Sequence, residues 1–527
     1  MSLKPDPNRW LSSIERLGNR LPDPISVFTL ALLAVVLASA VCAALGVQVK
    51  GTSGPIQATS LLASDGLWWL LSHAVENFVR FPPLGVVLVG MLGIGLAEKS
   101  GLLGHLIRSA VVRVPDAALT PAVVGLGVIS SIGLDAGYVV LPPLAALTYQ
   151  AVGRPPVAGL AAAFAGVAAG FSANLVPTAL DPLLAGFTES GARLIDPDYA
   201  VAITANWYLM IASTLVLTAS GWWVSVRIVE PRLAGGVRNA PEKAVNPAAF
   251  PTDSTTDTRL EALTPLPTES PQPVPEDSPR ALRKALLGAG ILSLLLAAAL
   301  LVPGAPLNGE GQHFPRWVEG MVPLLALYFL VPGLIYGLAS GRFKRDRDIA
   351  RAFGEVFAEL GPYIVLAFFA AQFIAAFNYS HLGEMLAFSG GRALSELAIP
   401  RPALLVAFIF VVMSGNLLLG SASAKYAFIA PIFVPLFMQV GIAPEATQAA
   451  YRVGDSITNI ITPLNPYMVI VLAQWMRFMP NAGLGTLLGT MLPYALVFTL
   501  VWVPLFMLWL WLGLPLGPGA PALLAGV

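Results

Sequence analysis

Residues 450–466, AYRVGDSITNIITPLNP, leave this chain few ways to fold. They lie inside an apolar run from about residue 446 to 475, yet carry Arg452, Asp455, Ser456, Thr458, Asn459, Thr462 and Asn465 together with Pro463 and Pro466. In hydrocarbon an ionised side chain costs roughly 2.5–3.5 kcal/mol even on an insertion scale, so these groups must face protein or water. The prolines break the helix, which is tolerated at membrane depth only where the freed carbonyls line a cavity or an ion site. The stretch is predicted to be a discontinuous transmembrane helix at a binding site.

Composition agrees with a polytopic membrane protein. Hydrophobic residues make up 56% of the chain and charged residues 11%, with a mean hydropathy of +0.74, far from the quarter-charged make-up of a soluble domain. The formal net charge is zero, so nothing argues for nucleic acid or an acidic partner. The one cysteine, Cys42, can form no internal disulfide, and His73, His105, His313 and His381 lack metal-ligand spacing.

Lys4, Arg9, Arg16 and Arg20 precede a first apolar run at 25–45, read as a retained helix with the N-terminus cytoplasmic. A second span ends near Ala97. Residues 120–150 are apolar at both ends and polar at Ser130, Ser131 and Asp135; about 30 residues are too few for two crossings, which predicts a re-entrant hairpin. A run at 157–187 is interrupted by SANLVPTALDP, a second broken helix. A span at 203–228 closes the first half, residues 1–233. Residues 234–280, rich in Pro, Ser, Thr, Asp and Glu, are expected to be a disordered cytoplasmic linker. The second half, 281–527, has spans near 285–302, 318–338 and 361–377, a hairpin at 402–440 with the tip SGNLLLGSASAK, the broken helix at 446–475 and a last span at 487–512.

This reading gives an all-α protein of nine transmembrane helices and two re-entrant hairpins, with the C-terminus external. Most Lys and Arg fall in its cytoplasmic segments, as the positive-inside rule requires. The halves also align, pairing Pro142 with Pro431, Gly153 with Gly441, Pro156 with Pro444, Ser172 with Ser456, Asn174 with Asn459, Pro177 with Pro463 and Pro182 with Pro466. By the span count the hairpins enter from opposite sides, so the repeat is inverted. That is the architecture of a secondary transporter with a midplane site.

GNRLPDP (18–24), DAGYVVLPPLAALTYQAVGRPPVAGLAAAFAGVAAGFSAN (135–174), SASAKYAFIAPIFVPLF (421–437) and QAAYRVGDSITNIITPLNPY (448–467) resemble the AbgT, or p-aminobenzoyl-glutamate transporter, family. The resemblance implies a homodimer in the bacterial inner membrane that moves p-aminobenzoyl-glutamate, some members exporting sulfonamide antimetabolites as antiporters driven by the ion gradient. It implies roles for Asp181, Ser423, Pro444, Arg452, Asp455 and Pro463, and a cation-site pattern of Asn416, Gly420, Asp455 and Asn459 for Na+, with H+ the other coupling ion. The family often has Trp where this chain has Tyr426, which keeps an aromatic wall and adds a hydroxyl. Asn174, at the first break, joins the candidate site through the repeat.

Each assignment has a structural competitor. Arg452 and Asp455, three apart, can neutralise each other on one helix face. Asp181, before Pro182, can cap a helix; Asp135 can be a turn residue; Lys425 can snorkel or pair with a carboxylate. An intramembrane aspartyl protease would need GxGD, and the chain has YRVGD; a rhomboid-like protease would need GxSG and a core histidine. A sodium-coupled dicarboxylate symporter is the closer alternative, sharing hairpins and an inverted repeat.

Overall fold

The computed structural model describes residues 24–524 except 52–53, 113, 134–135, 238–277, 417–420, 463, 466 and 481. Among these, the only strands form one ribbon, β1 (Gln48–Lys50) antiparallel to β2 (Pro55–Gln57) with Gln48 opposite Gln57; the rest of the regular structure is helical. Seven described helices are long and apolar enough to cross a bilayer: Ile25–Ala44, Ser64–Lys99, Trp207–Leu233, Pro279–Leu301, Met321–Ala339, Gly361–Tyr379 and Leu484–Trp511. Leu33 and Leu37 on the first, Leu294 and Leu295 on the fourth and Leu500 on the last are more than half exposed. Such faces suit lipid. Ser64–Lys99 runs as two helices, Ser64–Val79 and Pro82–Lys99, parted at Arg80 and at Phe81, whose extended backbone precedes Pro82 and Pro83.

Helix enters both edges of the stretch expected to be a linker, 234–280. Glu230–Val237 is helical, fastened by Glu230 Oε2 to Arg154 Nη2 at 2.7 Å. Pro279 occupies the first turn of the next helix behind the N-cap Ser278, whose side chain accepts from the Ala281 N–H. Residues 238–277 lie outside the described ones.

Between the long helices sits a core of eight shorter ones. In the first half these are α1 (Leu119–Ile129), α2 (Ala136–Ala151), α3 (Pro156–Phe164), continued by a π-helical stretch Ala165–Ala169, and α4 (Leu180–Ala192). In the second they are α5 (Arg401–Asn416), α6 (Ala422–Met438), α7 (Pro444–Thr458) and α8 (Tyr467–Phe478). A pair of helices thus flanks each expected tip, and each pair is followed by an interrupted helix.

Aligned residues do the same local work. Gly153 and Gly441 end α2 and α6 with φ +72° and +78°, a left-handed turn that favours glycine. The next amides bond back five residues, Arg154 N–H to Tyr149 O and Ile442 N–H to Phe437 O. Pro156 and Pro444 then open α3 and α7 in the first turn, where a missing N–H costs nothing. α4 packs on α6, while α8 packs on α2 and α3, so each broken helix leans on the other half.

Candidate functional site

All fifteen residues of α7 are buried, including Glu445, Gln448, Arg452 and Asp455. A helix this polar is buried only if its groups find partners. Gly454 lets it close on α5, since a Cβ there would lie 2.6 Å from Ile409 O. That approach brings the tip of α5 against Asp455.

The charges pair across elements and not along α7. Arg452 Nη2 donates to Asp181 Oδ1 of α4, and Nη1 to Ser172 O at 3.3 Å; Nε has no partner among the described residues. Asp181 Oδ2 accepts from the Thr178 N–H and hydroxyl at 2.5 and 2.8 Å. Asp181 therefore both fastens the first turn of α4 and meets the arginine. Asp455 Oδ1 faces Lys425 Nζ of α6 at 2.6 Å and the Tyr451 hydroxyl at 3.0 Å. The mutual neutralisation of Arg452 and Asp455 allowed by their spacing is replaced by these two cross-helix pairs, because each residue faces a different neighbour.

The tips are tied to the breaks. The Asn416 amide N–H groups reach Asp455 O, Thr458 Oγ1 and Asn459 Oδ1 at 2.6–2.8 Å, while Asn416 Oδ1 accepts from Lys425. In the first half Asn174 Nδ2 donates to Ser131 Oγ at 2.8 Å. Between the halves the Ser172 N–H donates to Ser456 Oγ at 3.2 Å, so two aligned residues touch. Asp135, Gly420 and Pro463 lie outside the described residues.

A cavity of about 390 Å³ opens where α2, α4, α6 and the second break meet the long helices Pro82–Lys99 and Gly361–Tyr379. Ser423, Asn459, Asn465, Tyr138 and Tyr467 line it. Ser421 caps α6 beside Ser423 by accepting from the Ala424 N–H, so a helix N-terminus faces the space; the first turn of α4 borders it too, through Ala179 and Leu180. Such termini favour anions. Asp181 and Arg452 lie behind this α4 wall. Pro444 opens α7 about 12 Å up the axis from Arg452. Tyr426 is fully buried, its hydroxyl 2.7 Å from Thr188 Oγ1 and its ring 4.2 Å from that of Tyr451, with no face on the cavity.

Sequence reasoning passed over the aromatic pair that does line it. Tyr138 and Tyr467 stack at 4.1 Å and 11°. Each is a lone aromatic beside a tip or a break, DAGY and NPY, which is the signal available. Thr188 and Gln448 were also missed; Thr188 donates to Gln448 Oε1 at 2.8 Å, and Gln448 Nε2 has no partner among the described residues. Outside the spans, burial and then the Glu445 carboxylate push the Tyr199 hydroxyl up, keeping it a donor to Glu445 Oε2 at 3.0 Å.

For sodium, the oxygens of Asn416, Asp455 and Asn459 are the right chemistry, supplied by a tip and an interrupted helix. The Lys425 ammonium meets two of them, so the set fits an ion only with that group displaced.

The profile of the "AbgT putative transporter family" matches residues 9–524. The chain belongs to the AbgT family. It is 35% identical over 518 residues, 96% of this chain and 95% of the relative, to the p-aminobenzoyl-glutamate transport protein of Escherichia coli K12. Among solved structures it resembles the Alcanivorax borkumensis YdaH transporter, with 42% identity and a TM-score of 0.84 over 94% of this chain and 100% of that one. It also resembles Neisseria gonorrhoeae MtrF, described within a class of antimetabolite efflux pumps, with 39% identity and a TM-score of 0.82 over 97% and 100%. AbgT membership makes the chain a multi-pass membrane transporter and not an enzyme, and does not favour the dicarboxylate-symporter alternative.

Proposed function

We propose that this AbgT-family transporter moves p-aminobenzoyl-glutamate-type folate catabolites, exports sulfonamide antimetabolites, and is driven by an ion gradient. The observation that carries the reading is the cavity at the meeting of both halves, with two helix N-termini beside it and Arg452 held by Asp181 just behind its wall. The volume lies within the roughly 300–1,000 Å³ of small-molecule sites.

The ligand chemistry matches. A flat aminobenzoyl ring suits the Tyr138–Tyr467 face. A carboxylate or sulfonyl oxygen suits the helix termini and the arginine fork, whose Nε has no partner among the described residues. In this mechanism an anionic ligand group replaces Asp181 Oδ1 on Arg452, and the released buried carboxylate is neutralised by a proton. Asp455, with Asn416 and Asn459, would hold sodium, which when bound supplies a second route of coupling. The inverted relation of the halves, a homodimer, and an N-terminus on the cytoplasmic side belong to the same reading. Reciprocal packing of the broken helices and the Ser172–Ser456 contact support the first of these.

The test is flux in reconstituted vesicles, with p-aminobenzoyl-glutamate, a sulfonamide and succinate compared under a pH gradient at fixed sodium and a sodium gradient at fixed pH. The first two compounds should move against their own gradients under at least one condition. Gradient-driven transport of succinate alone would overturn the reading.

A further inference from the structure

A lysine stands at the centre of the oxygen cluster just described. Lys425, in the first turn of α6, is 1% exposed, and its Nζ lies 2.5 Å from Asn416 Oδ1 and 2.6 Å from Asp455 Oδ1. The aspartate is equally buried. The surrounding groups are neutral: the Tyr451 hydroxyl on Asp455 Oδ1, and the Asn416 amide on Thr458 and Asn459.

Charge decides what can share this space. One ammonium balances one carboxylate; an inorganic cation added to the same oxygens would leave an uncompensated buried charge, which costs several kcal/mol. The two cations exclude each other. Among the described residues, the first half shows the same contact without charge. There Ser131 and Asn174 join tip to break, Lys425 aligns with Ala136, and the stretch aligned with Arg452–Asp455, residues 164–171 (FAGVAAGF), has no polar side chain. The charged pair is therefore an addition to the frame and not a requirement of it.

We propose that Lys425 is a tethered cation that competes with sodium for Asn416 Oδ1 and Asp455 Oδ1, so that sodium enters only when the ammonium leaves. The competition needs no change of protonation. It acts by displacement, and the serine-lined cavity beside the start of α6 gives the long stem somewhere to go.

The inference rests on the cation-coupled reading above, but its test reads ion binding to the purified full-length protein, so failed substrate flux would count against that reading alone. Binding of radiolabelled sodium and the thermal unfolding midpoint are measured at one pH and one ionic strength, exchanging choline chloride for sodium chloride. Lys425→Met keeps the stem and removes the charge. It should bind sodium at least ~tenfold more tightly than wild type, and its midpoint should rise in sodium but not in choline. Lys425→Met/Asp455→Asn buries no net charge, and should fold in either salt without a sodium response. Sodium affinity in Lys425→Met equal to or weaker than wild type overturns the proposal. So does a response kept by the double variant, or failure of Lys425→Met to fold in sodium as well as in choline.

Discussion

In the first half the tip meets its broken helix through Ser131 and Asn174; in the second, Asn416 and Asn459 make the corresponding contact, and Lys425 and Asp455 are added to it. Glycine turns and helix-opening prolines match between the halves. The ionised groups do not. Among the described residues of the site, Arg452, Asp455 and Lys425 come from the second half and Asp181, which reaches across to Arg452, from the first. A shared frame thus carries one ion pair inside a half and one between halves. The difference separates what builds the site from what charges it.

The crossing pair should give the largest effect. Asp181→Ala or Arg452→Ala leaves a buried charge alone, and each should lose about 3–5 kcal/mol of stability in denaturant unfolding. Arg452→Met/Asp181→Leu removes both charges and should recover most of that loss. If the single variants unfold like wild type, the pair is not desolvated as described.

Asp455→Asn should next abolish sodium-driven flux while leaving any flux driven by a pH gradient through Asp181, since no aligned carboxylate in the first half can replace it at the sodium oxygens. Vesicles with a pH gradient or a sodium gradient distinguish the two couplings. Retention of both would remove Asp455 from energy coupling.

The aromatic groups should matter less. Tyr467→Ala should weaken binding of p-aminobenzoyl-glutamate by about 1 kcal/mol, with Tyr467→Phe close to wild type, as titration calorimetry would report. Tyr426→Phe should spare binding and cost about 1 kcal/mol of stability, because its hydroxyl meets Thr188 and not the cavity. The smallest change is expected for Ser131→Ala, about 0.5 kcal/mol of stability with ion dependence unaltered, the neutral counterpart of the Asn416 contact.

Much of this was legible in the sequence because hydrocarbon restricts where charge can go. The span positions and both interruptions follow from apolar run length and from Pro and Asn inside apolar runs. Pairing across space was not legible. Arg452 and Asp455 sit at a spacing that invites a local pair, and only the packing of α7 between α4, α5 and α6 sends them to different partners. The second interruption also starts later than its polar residues suggest. Arg452 and Asp455 ride on a continuous helix to Thr458, and Asn459 begins the break. The aromatic wall at Tyr426 is what the resemblance implies, from the Trp common at that position in the family, but its ring turns inward to Tyr451.

The account stands on Arg452 being the ligand's anchor and not only a brace to Asp181. Binding of p-aminobenzoyl-glutamate to purified Arg452→Met/Asp181→Leu tests this most directly, because that variant is expected to keep its fold without either charge. The account predicts folded protein with no measurable binding at concentrations that saturate wild type, and partial binding for Arg452→Lys, which keeps the charge but not the planar fork. Wild-type affinity in the folded double variant would contradict it.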